Sequence, residues 1–195
     1  MIHRALVGCA VAASAAVVLT AAPSLAQSRS MDDGTGDVWS QAMARGLTEP
    51  QPGERVNADL VSTKADHTSN KVIATAKYTD LVRNTDSFQY AMLLKTDEHK
   101  KFWIYAGASP DDRNGSMYLG RTNGNEVTCG DKDFAVSYAK DKISFSIPRS
   151  CLGKPSWVKY ESAGIVYDES NNYFIDDAAS DQAQPSQWSA KLHRN

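Results

Sequence analysis

The 195-residue sequence is short of cysteine, with three, and of histidine, with four, and its 21 basic and 23 acidic side chains leave a net charge of only −2. Each shortage excludes something. A near-neutral balance supplies no basic field to hold a nucleic-acid backbone or an anionic membrane surface. The sequence contains no CxxC pair, no HExxH, no GxSxG elbow and no glycine-rich phosphate loop, so the chemistries those motifs define lack their residues. Ser-His-Asp sets can be drawn from distant residues of almost any chain and carry no weight. No two carboxylates stand out as a glycosidase pair.

What is present begins with a leader. Met1 to Arg4 provide a short positive start, Ala5 to Ala22 an apolar and small-residue run, and Ser24-Leu25-Ala26 a small-x-small cleavage site before Gln27. This is the pattern of a secretory signal peptide over residues 1–26. Leu6-Val7-Gly8-Cys9 has the look of a lipoprotein box, but too few apolar residues separate Arg4 from Cys9 to form the usual hydrophobic region. The mature chain is expected to be secreted, without a membrane span, monomeric and slightly more acidic. Its two cysteines, Cys129 and Cys151, are expected to form a disulfide. Closing a loop of about 23 residues would constrain the unfolded chain by roughly 3.4 kcal/mol on the loop-entropy model.

Residues 27–55 are rich in Gly, Asp, Ser and Pro and read as an extended segment with a short helical turn around Ser40 to Arg45, followed by a single domain over 56–195. There the spacing changes to period two. Val72, Ala74, Ala76 and Tyr78 alternate, as do Phe88, Tyr90, Met92 and Leu94, then Phe102 and Ile104 with Trp103 and Tyr105 on the opposite side. His67-Thr68-Ser69-Asn70 reads as a turn, and Thr122-Asn123-Gly124-Asn125 is the strongest hairpin signal. Phe134, Val136 and Tyr138 face Ile143, Phe145 and Ile147 across a turn at Ala139 to Lys142, and Trp157 to Tyr167 is a last long strand. Eight or nine strands without a long helix predict an all-β antiparallel sandwich of jelly-roll type.

Two clusters are candidates for binding. Asp32, Asp33 and Asp37 lie among Gly34 and Gly36, and Asp176, Asp177 and Asp181 near the other end of the chain. Turn glycines let carboxylates converge on calcium, which takes six to eight oxygens. The residues expected to build such a Ca²⁺ site are Asp33 and Asp37 with Asp176 or Asp177; solvated acidic turns are the alternative use. Trp103 and Tyr105, with Tyr90 and Tyr118 on neighbouring strands, form the second cluster, suited either to stacking on sugar faces or to covering the fold. His67, as a haem or copper ligand, lacks an axial partner in the sequence.

The stretches Gly36-Asp37-Val38, Asp59 to Val72, and Ser146-Ile147-Pro148-Arg149-Ser150-Cys151-Leu152-Gly153-Lys154-Pro155-Ser156-Trp157-Val158 resemble a group of uncharacterised exported bacterial β-sandwich proteins. The architecture is also similar to DOMON-type and carbohydrate-binding-module sandwiches. The resemblance implies the fold and export; it transfers no catalytic residue. The function expected is a secreted, non-catalytic binding or cell-surface-associated module with a glycan or cell-envelope partner and a structural calcium site. An exported hydrolase, or an accessory domain of a polysaccharide-active enzyme, is the alternative.

Overall fold

The computed structural model describes residues 27–42, 51–52, 55–170, 172–179 and 187–195. The leader and Asp181 lie outside them. The described residues form thirteen strands: β1 (Gln27–Asp32), β2 (Trp39–Ala42), β3 (Gln51–Pro52), β4 (Leu60–His67), β5 (Lys71–Tyr78), β6 (Ser87–Thr96), β7 (Lys101–Ala108), β8 (Ser116–Arg121), β9 (Asp133–Ser137), β10 (Lys142–Pro148), β11 (Trp157–Tyr167), β12 (Asn172–Asp177) and β13 (Leu192–His193). All pairings are antiparallel. One sheet runs β1-β4-β5-β10-β9, and the larger runs β3-β2-β12-β11-β6-β7-β8, with β13 also on β11. The fold is an all-β sandwich, and no helix among the described residues is long and apolar enough to cross a membrane.

Period-two patterning produces this arrangement because each strand turns one set of side chains inward. Val72, Ala74, Ala76 and Tyr78 of β5 meet Phe88, Tyr90, Met92 and Leu94 of β6, Phe102 and Ile104 of β7, and Ile143, Phe145 and Ile147 of β10 in one buried core. Two local expectations change. Of the helical turn anticipated over Ser40 to Arg45, residues 40–42 belong instead to strand β2 and the rest lie outside the described residues; pairing with β12 on one side and β3 on the other supplies backbone partners and overrides weak local preference. His67 is not in the turn but ends β4, opposite Val72 and Gln27. The turn itself begins at Thr68, whose hydroxyl accepts Lys71 N–H and donates to Lys71 O, both at 2.9 Å.

Arg149 opens a short 3-10 turn, Arg149–Leu152, after β10. Its buried guanidinium donates to Ser69 O at 2.6 Å, to Lys154 O at 2.9 Å and to Pro155 O at 2.7 Å. One cation thus ties the β4–β5 turn to the chain entering β11. Cys151 in the same turn forms the disulfide to Cys129, with Cα atoms 5.8 Å apart.

The N-terminal segment crosses between the sheets twice. Residues 33–38 lead from β1 in the smaller sheet to β2 in the larger, burying Val38 on the way, and residues 55–59 lead back into β4. Arg55 fixes the return by pairing with Asp168 at 3.2 Å and Asp86 at 3.6 Å and by lying 4.7 Å above the Phe174 ring. The returning backbone passes so close to β11 that a Cβ on Gly164 would sit 2.1 Å from Ala58 O.

Two substitutions test these contacts. Gly164→Ala forces backbone apart and should lower unfolding free energy by about 1–3 kcal/mol. Arg149→Met leaves carbonyls without their charged donor and should cost about 3 kcal/mol. Denaturant midpoints with unchanged slopes would check both.

Candidate functional site

Both inter-sheet crossings deliver carboxylates to one place. Asp33 and Asp37 come from the first crossing, Asp59 from the second, and Asp176 from the inward face of β12. Oxygens of Asp33, Asp37 and Asp176 lie within 4.8 Å of one another. The local backbone holds them there. Asp33 N–H donates to Val61 O at 3.0 Å, at the bulge where β4 shifts register against β5. Asp59 accepts Gly36 N–H at 3.1 and 3.2 Å through its two oxygens, anchoring the crossing loop.

Asp176 is the most enclosed member, with 1% of its surface exposed. Its Oδ2 accepts Leu60 N–H at 2.6 Å, while Oδ1 has no hydrogen-bond partner among the described residues. Burial, and then the charges of Asp33, Asp37 and Asp59, push its carboxyl up to about 9. A carboxylate out of water among other carboxylates must take a proton or a cation. Of the residues anticipated for calcium, the structure brings together Asp33, Asp37 and Asp176. Asp177 falls outside, because alternation along β12 turns it to the other face, opposite Ala163. Its Oδ1 accepts Ala179 N–H at 3.2 Å.

The outer face of the larger sheet carries the second candidate. Ala91, Ala163, Ile165 and Ile175 form a small apolar centre, and the rings of Trp39, Tyr105, Tyr167 and Tyr173 pack around it. Trp103 and Tyr105, two residues apart on β7, are stacked with centroids 5.8 Å apart and planes 13° from parallel. Tyr105 faces Tyr118 across β7–β8, with centroids 6.2 Å apart, and Tyr167 faces Tyr173 across β11–β12 at 5.3 Å. Tyr118 is 37% exposed and lies over Gly120, where a Cβ would be 2.2 Å from its hydroxyl.

Tyr105, Tyr118 and Tyr167 also line a groove of about 250 Å³ together with Ser87, Gln89 and Asp112. Burial raises the Tyr105 and Tyr167 hydroxyls above their ordinary range, so both stay protonated at neutral pH. The groove therefore offers ring faces beside hydroxyl, amide and carboxylate groups.

Other sequence candidates are placed differently. Tyr90 is fully buried in the core rather than on the aromatic face, since it shares the inward phase of Phe88 and Met92. His67 is also fully buried, and its Nδ1–H donates to Leu192 O at 2.9 Å. Desolvation lowers its pKa, keeping the ring neutral. Asp59, Trp39, Tyr167 and Tyr173 were not picked out from the sequence. Tyr167 and Tyr173 do leave a readable signal, one aromatic at each end of a tight turn in which Asp168 accepts the N–H groups of Ser170 at 2.9 Å and Asn172 at 2.8 Å.

Comparison of the sequence with protein-family models and with curated proteins finds no match.

The raised Asp176 pKa has a definite sign. Between about pH 4 and 9 the folded chain holds a proton that the unfolded chain releases, so in chelator stability falls as pH rises through that window. His67 acts oppositely only below its ordinary pKa of about 6.5, because there the unfolded chain gains the proton. The denaturant midpoint in chelator should therefore be lower at about pH 9 than at about pH 7. Asp176→Asn should flatten that slope.

Proposed function

We propose that the protein is an exported, non-catalytic module that binds glycan through the aromatic outer face of its larger sheet. The observation that carries the reading is the groove in which Tyr105, Tyr118 and Tyr167 meet Gln89, Ser87 and Asp112. Sugars have apolar ring faces and hydroxyl edges, so their recognition calls for exposed aromatic planes with hydrogen-bonding groups beside them. The stacked Trp103–Tyr105 pair, its planes 13° from parallel, continues the aromatic row along β7. Strand pairing on both sides of β7 holds these rings, which keeps the ordering cost of binding low.

Export is supported by the leader at residues 1–26 and by the disulfide, which persists in oxidising compartments. Binding without catalysis is supported by the groove's composition. Glycoside cleavage generally uses two carboxylates, and Asp112 is the one acidic side chain among the described residues lining the groove. Its Oδ1 accepts Gly115 N–H at 3.0 Å, which commits it to the turn.

Depletion by insoluble polysaccharides, followed by a glycan array, tests the reading. Trp103→Ala and Tyr118→Ala should each weaken retention about tenfold, equivalent to about 1.4 kcal/mol, while the proteins stay folded with a melting temperature lowered by only a few degrees from the lost ring contacts. Gly120→Ala should weaken it too, because the added methyl displaces the Tyr118 ring. Absence of retention on any polysaccharide by the unsubstituted protein would refute glycan binding.

A further inference from the structure

We propose that Asp33, Asp37 and Asp176 form a site for one calcium ion that clasps the two sheets together at the double crossing. The proposal is independent of the glycan reading. Two separate observations carry it. The first is convergence, because oxygens from three carboxylates on two chain segments lie within 4.8 Å of one another. Three oxygens no more than 4.8 Å apart share a centre within about 2.8 Å of each, so side-chain adjustments of a few tenths of an ångström bring them to the 2.3–2.6 Å of a calcium shell. The second is Asp176 Oδ1, which has no hydrogen-bond partner among the described residues although the side chain is 1% exposed. Oδ2 is already occupied by Leu60 N–H. Burying a polar oxygen without a partner is costly, and a cation supplies the partner that the surrounding backbone does not.

The donor chemistry selects the ion. All three ligands are hard carboxylate oxygens, with no imidazole or thiolate in the group, which favours calcium over zinc or copper. Asp33 and Asp37 are half-buried as residues, with Asp33 Oδ2 and both Asp37 carboxylate oxygens turned away from solvent, so second carboxylate oxygens and enclosed water would fill the remaining positions. Calcium tolerates such mixed, irregular shells, whereas magnesium demands a near-ideal octahedron and gives up its water reluctantly. Asp59 has a different task. Its two oxygens hold Gly36 N–H, which fixes the loop that presents Asp33 and Asp37. The ion would thereby join the end of β1 in the smaller sheet, the crossing loop, and β12 in the larger sheet. Asp33 and Asp37 on a single loop would give a weak site; Asp176, 139 residues after Asp37 in sequence, makes it dependent on the assembled sandwich.

The test uses the exported, disulfide-bonded protein after chelator treatment. Isothermal titration with calcium chloride should give one ion per chain, and the melting temperature should rise by roughly 5 °C or more at about 5 mM calcium, above the Kd range of extracellular calcium modules. The same concentration of magnesium should shift it less. Asp37→Asn should abolish the calcium response, yet melt in chelator at or above the temperature of the unsubstituted protein, because one of several repelling charges is gone. That inversion separates a metal ligand from a residue that merely holds the loop. No heat and no shift with calcium, an equal shift with magnesium, or an Asp37→Asn protein that still responds would each overturn the proposal. Should Asp37→Asn fail to fold, Asp33→Asn and the titration of the unsubstituted protein decide it.

Discussion

Three carboxylates, Asp33, Asp37 and Asp176, converge where the chain passes twice between its two sheets, with Asp59 bracing their loop, and keeping them there constrains that end of the molecule. Asp176 must project inward from β12, Gly164 must lack a side chain so that Ala58 can pass, and Leu60 N–H must point at Asp176 as β4 begins. Each depends on the others. A side chain at Gly164 would lift the crossing, and lifting it would withdraw the amide that partly satisfies the buried carboxyl. The interior there gathers charge beside a core that is mainly aliphatic and aromatic. A polar interior is tolerated only when each group has a partner or a proton.

The opposite surface of the same sheet follows from the same alternation. On β12, Phe174 and Asp176 turn inward while Tyr173 and Ile175 turn outward; on β11, Val166 and Gly164 turn inward and Tyr167 and Ile165 outward. The acidic centre and the aromatic platform are therefore two faces of one strand pair. Fixing the register of β11 on β12 at Gly164 opposite Asp176 also fixes Tyr167 opposite Tyr173, because a one-residue slip would exchange the faces.

Much of the sandwich was legible in the alternation of apolar residues. Val72 to Tyr78, Phe88 to Leu94 and Ile143 to Ile147 are strands with the buried faces their spacing implies, and Cys129 and Cys151 are joined. β1, β2, β3, β12 and β13 were not legible, since strands this short take their structure from their partners and carry no apolar alternation of their own. The aspartates could be seen as a group by their glycines. Which of Asp176 and Asp177 faces inward depends on strand phase, and no apolar alternation marks it because both faces of β12 are buried.

Composition and spacing alone thus determined an all-β chain with one disulfide, a set of inward strand faces and two places rich in carboxylate or aromatic groups. Local sequence suffices there because side-chain direction alternates along any strand. The tertiary structure decided that Asp176 meets Asp33 and Asp37 while Asp59 holds their loop at Gly36, that Tyr167 and Tyr173 join the face begun by Trp103 and Tyr105, and that Tyr90 and His67 are interior. Those outcomes rest on which strands neighbour one another and in what register, and pairing between segments more than a hundred residues apart is a property of the assembled sheets.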